Sequence, residues 1–173
     1  SLGYKVGKPD INLSEENFTM KPGRVLIPSF SAIKGVGKAA LYEIKTHRPY
    51  TQLRDLIVNP DGSWRHSKFN KRAFGNLIKT GAFESMGLVG PGKTFANYKQ
   101  MFTVLIDNYD KLKKTAARKK NNDAAAELDT IIQDVIANQP GDWTADEKIA
   151  HSKELTGQID MSLVVTPKMM DYF

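Results

Sequence analysis

Phe30-Ser31-Ala32-Ile33-Lys34-Gly35-Val36-Gly37-Lys38-Ala39-Ala40 decides how the rest of the chain is read. Apolar Phe30 and Ile33 stand five and two positions before Gly35, and small residues fill the first turn of a helix beginning at Lys38. Two helices joined by so short a turn bring their backbones close together, which calls for Gly35 and Gly37. Val36 plugs the gap between them. The turn amides and the N-terminus of the second helix then point outward together and hold an anionic oxygen through backbone donors and the helix dipole. Lys34 and Lys38 flank that position with full charges. Such a site reads phosphate and carries no base information. The alternative is a glycine-containing turn with a packing role alone.

N-terminal to this stretch, Tyr4-Lys5-Val6, Asn17-Phe18-Thr19-Met20 and Arg24-Val25-Leu26-Ile27 are strand-like, punctuated by Pro9, Lys21-Pro22-Gly23 and Pro28. They predict a short β-hairpin. C-terminal to it, Ala40, Leu41 and Ile44 share one helical face up to His47-Arg48-Pro49. A second short helix is expected over 51–58, before Asn59-Pro60-Asp61-Gly62. A third is expected over 70–80, with Phe74, Leu77 and Ile78 inward and Gly81 as its stop. Residues 87–92 read as a linker. Phe95, Tyr98, Phe102, Leu105, Tyr109 and Leu112 recur at spacings of 3, 4, 3, 4 and 3, which predicts one long amphipathic helix. After a turn at Asn121-Asn122-Asp123, Leu128, Ile131, Ile132, Val135 and Ile136 form the stripe of a returning helix. Thr144-Ala145-Asp146-Glu147 is a capping box for a last helix, with Trp143 packing beside it. A short strand is expected over 162–165. The expected fold is mainly α in three parts: an extended lead-in (1–30), a helical module (31–87) and a helical connector (88–173) made of an αα-hairpin and a capped helix.

The chain has 173 residues, 40% hydrophobic and 25% charged, an ordinary globular composition. Apolar runs such as Val104-Leu105-Ile106 are far too short to span a bilayer, and no basic-then-apolar signal region opens the chain. Ser1 in place of Met reads as the edge of a processed or excised piece. With no cysteine there is no thiolate metal site and no disulfide framework, and a cytoplasmic setting is expected. Charge is unevenly divided. Residues 1–86 carry 14 Lys and Arg against 7 Asp and Glu, residues 87–123 carry 8 against 3, and residues 124–173 carry 3 against 9. A basic front and an acidic tail point to a polyanionic partner for the front, or to a well-solvated surface.

These residues resemble a helix-hairpin-helix motif, and their surroundings resemble the family C replicative polymerases, the bacterial DNA polymerase III alpha subunits. The matching pieces are Pro9-Asp10-Ile11-Asn12 with Ser14 and Phe18, then Ala32-Ile33-Lys34-Gly35-Val36-Gly37. Asn70-Lys71-Arg72 and Leu77-Ile78-Lys79-Thr80-Gly81-Ala82-Phe83-Glu84-Ser85-Met86-Gly87 continue them, over about half the chain. The resemblance implies a tandem helix-hairpin-helix module, following the fingers, that grips duplex DNA at the primer–template. It implies DNA contact through Lys34, Gly35, Val36, Gly37 and Lys38. It adds Lys71 and Arg72, and a second hairpin at Lys79, Thr80 and Gly81 that lacks the Gly-x-Gly pattern. It also implies the other domains of a parent polymerase as partners, with Mg²⁺ in the parent and no cofactor in this segment. Residues 95–157 resemble the family's connector loosely, and its usual ending is not recognisable over 162–167, which suggests a divergent, phage-like member.

A rival pattern is present. Gly87-Leu88-Val89-Gly90-Pro91-Gly92-Lys93-Thr94 satisfies the phosphate-loop spacing, with Asp107 after Met101–Ile106 as a Walker B mimic. A phosphate loop follows a buried strand, whereas residues 76–86 read as helix end and turn, so the pattern is out of context. A further reading is a structural connector whose charge is incidental. Trp64-Arg65-His66 and Lys68-Phe69-Asn70-Lys71-Arg72 interleave aromatics with cations at a position that could flank DNA, with Phe69 assigned to the core. The run Lys111-Leu112-Lys113-Lys114 and Arg118-Lys119-Lys120 reads as a solvated helix end. His47, His66 and His151 lack ligand spacing, and Asp107 and Asp110 face solvent on a helix, so neither a metal site nor catalytic carboxylates are expected.

Overall fold

The computed structural model describes residues 5–118, 123–138 and 141–156. It opens with three short strands, β1 (Lys5–Val6), β2 (Thr19–Lys21) and β3 (Val25–Ile27), in the order β1-β3-β2. β2 and β3 form the expected antiparallel hairpin, with Met20 opposite Leu26. β1 adds parallel to the other edge of β3, and the Gly7 amide donates to the Leu26 carbonyl at 2.8 Å.

The loop between β1 and β2 is tied to the helical part by side chains. Asp10 Oδ1 accepts from the Asn12 amide (2.9 Å) and from Ser85 Oγ (2.7 Å), and Oδ2 accepts from the Ser85 amide (3.2 Å). Asn12 exchanges two bonds with the Tyr50 backbone, and the Ile11 amide donates to the Ala82 carbonyl at 2.7 Å. The Pro9-Asp10-Ile11-Asn12 and Phe83-Glu84-Ser85-Met86 stretches are therefore two halves of one joint.

Six α-helices follow among the described residues: α1 (Lys38–Thr46), α2 (Lys71–Lys79), α3 (Tyr98–Asp107), α4 (Tyr109–Arg118), α5 (Asp123–Asn138) and α6 (Ala145–Thr156). α1 and α2 bury the faces read from the sequence: Ala40, Leu41 and Ile44 on one, Phe74, Leu77 and Ile78 on the other. The mainly α architecture with an N-terminal β-hairpin holds, but several elements differ in length. Each hairpin has a full helix on one side only, α1 after the first turn and α2 before the second. Phe30–Ala32 and Glu84–Met86 are single 3₁₀ turns, because Pro28 and Gly35, and Gly81 and Gly87, leave room for no more. The helix expected over 51–58 is also a 3₁₀ turn, Leu53–Leu56. Asp55 folds back to accept the Thr51 and Gln52 amides, and Val58 pairs as an extended residue with Trp64.

The long helix expected from the 3-4 spacing is interrupted. Asn97 caps α3, so Phe95 lies ahead of it in an extended pair with Val89. At Asn108 the side-chain Nδ2 donates to the Val104 carbonyl (3.0 Å) and α4 begins anew. Asparagine competes for helical backbone groups in this way, a local preference that apolar spacing does not register. α5 returns against α3 and α4 on Leu128, Ile131 and Ile132, while Ile136, predicted to share that stripe, is 44% exposed. α6 starts on the predicted capping box: the Glu147 amide donates to Thr144 Oγ1 (3.2 Å) and the Thr144 amide to Glu147 Oε1 (3.1 Å). Trp143 stands edge-on to Phe102, ring centres 5.7 Å apart. The strand expected over 162–165 lies outside the described residues.

One continuous apolar core runs from Ile11 through α1 and α2 to α3, α4 and Ile132. Gly75 lets α3 sit directly on α2, since a Cβ there would be 3.3 Å from Phe102 Cε2. Beside this contact Trp64, His66, Phe69, Phe74 and Tyr109 pack ring against ring at 4.8–5.4 Å. His66 is buried, with Nε2 directed at the Leu56 carbonyl and Nδ1 at the Tyr109 hydroxyl (3.0 Å). A carbonyl only accepts, so Nε2 carries the proton and Nδ1 accepts from Tyr109. Burial pushes His66 down to about 4, against the partial opposition of the Leu56 bond.

The unfolded chain therefore takes up a proton near pH 6.5 that the folded chain refuses until about pH 4. The stability contributed by the neutral ring is complete above pH 6.5 and is lost as pH falls toward 4. Between pH 7.5 and 5 this loss is about 2 kcal/mol. Urea unfolding of wild type and His66→Gln at both pH values should show the wild type losing that much more; equal losses would mean that His66 titrates normally in the folded chain.

Candidate functional site

The turn between the 3₁₀ turn Phe30–Ala32 and α1 is held at Lys34 from two sides. Its carbonyl accepts from Asn76 Nδ2 of α2 at 2.8 Å, and its amide donates to the Leu155 carbonyl of α6 at 2.9 Å. Gly35 follows at φ +85°, where a Cβ would stand 3.0 Å from Asn76 Nδ2 and 3.3 Å from Arg72 Cγ. Both backbone and space require glycine. Val36 is buried as the predicted plug, and its amide donates to the Ile33 carbonyl at 3.1 Å.

Gly37 departs from expectation. Its φ of −87° suits any residue, and a Cβ there would meet nothing within 4 Å. It is not needed for close packing, because by this point the chain has taken the extended geometry of a helix N-cap and faces open space. Side chains cap the first turns of α2 (Asn70), α3 (Asn97) and α6 (Thr144), but none caps α1. Among the described residues no acceptor meets the amides of Gly35, Gly37, Lys38 and Ala39. Lys34 and Lys38 are exposed and form no ion pair among the described residues. Four outward amides, the positive end of a helix and two ammonium groups thus share one surface, a geometry suited to an oxyanion.

Other sequence-predicted positions divide. Arg72 lies against Gly35 with its side chain exposed, and so joins this surface. The Lys71 ammonium is paired with Asp110 of α4 at 3.3 Å, both largely exposed, a contact that costs little to break. The second hairpin is built differently. Thr80, Gly81 and Ala82 donate their amides to the carbonyls of Asn76, Ile78 and Leu77. Thr80 Oγ1 donates to the Leu77 carbonyl, Gly81 is buried, and the Lys79 ammonium lies 5.3 Å over the Phe102 ring. This turn closes α2 and leaves no outward amide cluster.

In the stretches that could flank DNA the aromatic rings turn inward: His66 is buried, Phe69 is buried as assigned, and Trp64 packs against the core, while Lys68, Lys71 and Arg72 are exposed. The phosphate-loop pattern is a closed loop in which the Gly90 and Phe95 amides donate to Phe95 and Leu88 carbonyls, a parallel bridge between Val89 and Phe95. The element directly before it is the 3₁₀ turn Glu84–Met86 and not a strand, and Asn97 occupies the first-turn amide of α3. Among the described residues no group of three or more His, Asp or Glu is placed to hold a metal ion, and no helix is long and apolar enough to cross a membrane. Asn76 and Leu155 were not readable as site residues. The one trace of Asn76 is a poor helix former inside an apolar helix, and Leu155 acts through its carbonyl, which no side-chain pattern reports.

A family model described as "Helix-hairpin-helix motif" matches residues 3–89. The chain is 32% identical over 90 residues to DNA polymerase III subunit alpha of Haemophilus influenzae, and 32% identical over 90 residues to that of Escherichia coli K12. Each match covers 50% of this chain and 7% of the relative. With the Neisseria meningitidis serogroup A protein of the same name, 28% identity extends over 164 residues, 90% of this chain and 13% of the relative. The similarity thus runs through the connector as well as the hairpins, while the chain spans only a small fraction of these proteins. It belongs to the helix-hairpin-helix family, in the form carried by DNA polymerase III alpha subunits.

Proposed function

We propose that this chain grips duplex DNA by its phosphate backbone at the primer–template, as a non-catalytic part of a replicative DNA polymerase. The observation that carries this reading is the uncapped first turn of α1 beside the Gly35 turn, with Lys34 and Lys38 on either side. A phosphate oxygen placed there would accept from the free amides and be neutralised by the lysines, and the absent Cβ of Gly37 would leave it room to approach. The second hairpin contributes packing in this reading. In this reading nucleotide transfer, with its Mg²⁺, is the work of other domains of a parent polymerase, and among the described residues no group of three or more His, Asp or Glu is placed to hold a metal ion.

Binding of this kind is indifferent to sequence and sensitive to salt. With four to six phosphates engaged, the log–log salt slope is about −4 to −5, and the dissociation constant at physiological salt is on the order of 10⁻⁴ to 10⁻⁶ M. In fluorescence anisotropy with a labelled primer–template duplex, Lys34→Glu with Lys38→Glu should weaken binding to every duplex alike and reduce the slope by about 2. An unchanged slope would remove these lysines from the interface. ATP should not compete.

Gly35 and Gly37 separate folding from binding. Gly35→Ala should cost about 1–3 kcal/mol of stability through its left-handed backbone and the contact with Asn76. Gly37→Ala should stay within about 0.5 kcal/mol of wild type in urea unfolding, yet bind duplex several-fold more weakly. Wild-type affinity in a folded Gly37→Ala chain would contradict the role given to that opening.

A further inference from the structure

The bond from the Lys34 amide to the Leu155 carbonyl joins the phosphate-facing turn to a helix more than a hundred residues away, the last described element of the chain. We infer that α6 is a positioning element of the first hairpin: its docked state sets the geometry of the Gly35 turn and thereby the affinity for duplex DNA. The inference rests on the DNA-binding reading above and adds that the C-terminal connector helix is part of the same working unit.

Three observations support it. First, the turn has two external restraints, Leu155 from α6 on the Lys34 amide and Asn76 from α2 on the Lys34 carbonyl, so the two consecutive peptide units on either side of Lys34, just before Gly35, are both held. A left-handed glycine is the most easily rotated point of such a turn, so the restraint on its N-terminal side decides where the free amides aim. Second, the position of α6 is itself fixed. Leu155 is buried, α6 packs against α2, and Trp143 at its start stands edge-on to Phe102 of α3 at 5.7 Å and to His151 of α6 at 4.6 Å. Third, the Leu155 carbonyl lies in the last turn of its helix, where carbonyls lack intrahelical donors. The Lys34 amide satisfies this one. Undocking α6 would therefore expose a carbonyl and an amide together and leave the turn held by Asn76 alone.

The full chain tests this in two readouts. Hydrogen exchange at the Lys34 amide should be slow in wild type and fast in Leu155→Ala and in Trp143→Ala, with the Leu41 and Phe74 amides of α1 and α2 unaffected. Neither substitution touches the DNA-facing surface, yet both should weaken duplex binding about five- to tenfold while leaving the salt slope unchanged. Leu155→Met, which keeps the volume, should restore both. By linkage, saturating duplex should slow Lys34 exchange in the variants, because a ligand that prefers the docked state shifts the chain toward it. Fast Lys34 exchange with wild-type affinity would overturn the coupling and leave the DNA-binding reading standing. A wild-type chain with a protected Lys34 amide and no affinity for duplex would overturn both.

Discussion

Both backbone polar groups of Lys34 are bonded, its carbonyl to the Asn76 side chain and its amide to the Leu155 carbonyl, and the site is arranged around that fixed residue. With the backbone pinned there, Gly35 turns in a left-handed conformation and Val36 drops into the core. The chain then emerges at Gly37 already extended, as the N-cap of α1. A side-chain cap on α1 would have closed the end of the helix. Its lack leaves the amides of Gly35, Gly37, Lys38 and Ala39 outward between two lysines. The first-turn donors of a helix have no intrahelical partner, and with no side chain taking these they suit an anion.

The same contrast separates the two hairpins. Around Gly81 the amides fold back onto Asn76, Leu77 and Ile78, and the Tyr98 hydroxyl takes the Gly81 carbonyl at 3.1 Å. That turn is a joint: the Ile11 amide meets the Ala82 carbonyl, and Asp10 meets Ser85. One hairpin thus anchors the strand-bearing lead-in and the other faces outward. The division of labour follows from which amides have partners, and it explains why a single glycine suffices in the second turn.

Much of this was legible in the sequence. The β2–β3 hairpin, α1, α2, the capping box of α6 and the buried plug at Val36 follow from turn residues, apolar periodicity and capping chemistry, all local in sequence. The errors share a cause as well. The 3₁₀ turn Leu53–Leu56 and the break at Asn108 come from side chains that bond the nearby backbone, as Asp55 and Asn108 do, and apolar spacing does not count those bonds. The stretches around His66 read as able to flank DNA because cations interleave with the aromatics, yet Trp64 and His66 join Phe69, the one assigned to the core, in the ring cluster. The clamp on Lys34 was invisible for a stricter reason. One partner is a main-chain carbonyl, and the other is an asparagine 42 residues away that carries no motif.

The central claim is that the first hairpin meets DNA through its free amides and the second does not. Amide chemical-shift mapping with an isotopically labelled chain, titrated with a short duplex at two salt concentrations, addresses it directly. The account predicts shifts centred on Gly35, Gly37, Lys38 and Ala39 that fade as salt rises, with Thr80, Gly81 and Ala82 unmoved. Shifts centred on the second turn, or spread over the basic helix α4 with the first turn silent, would contradict it.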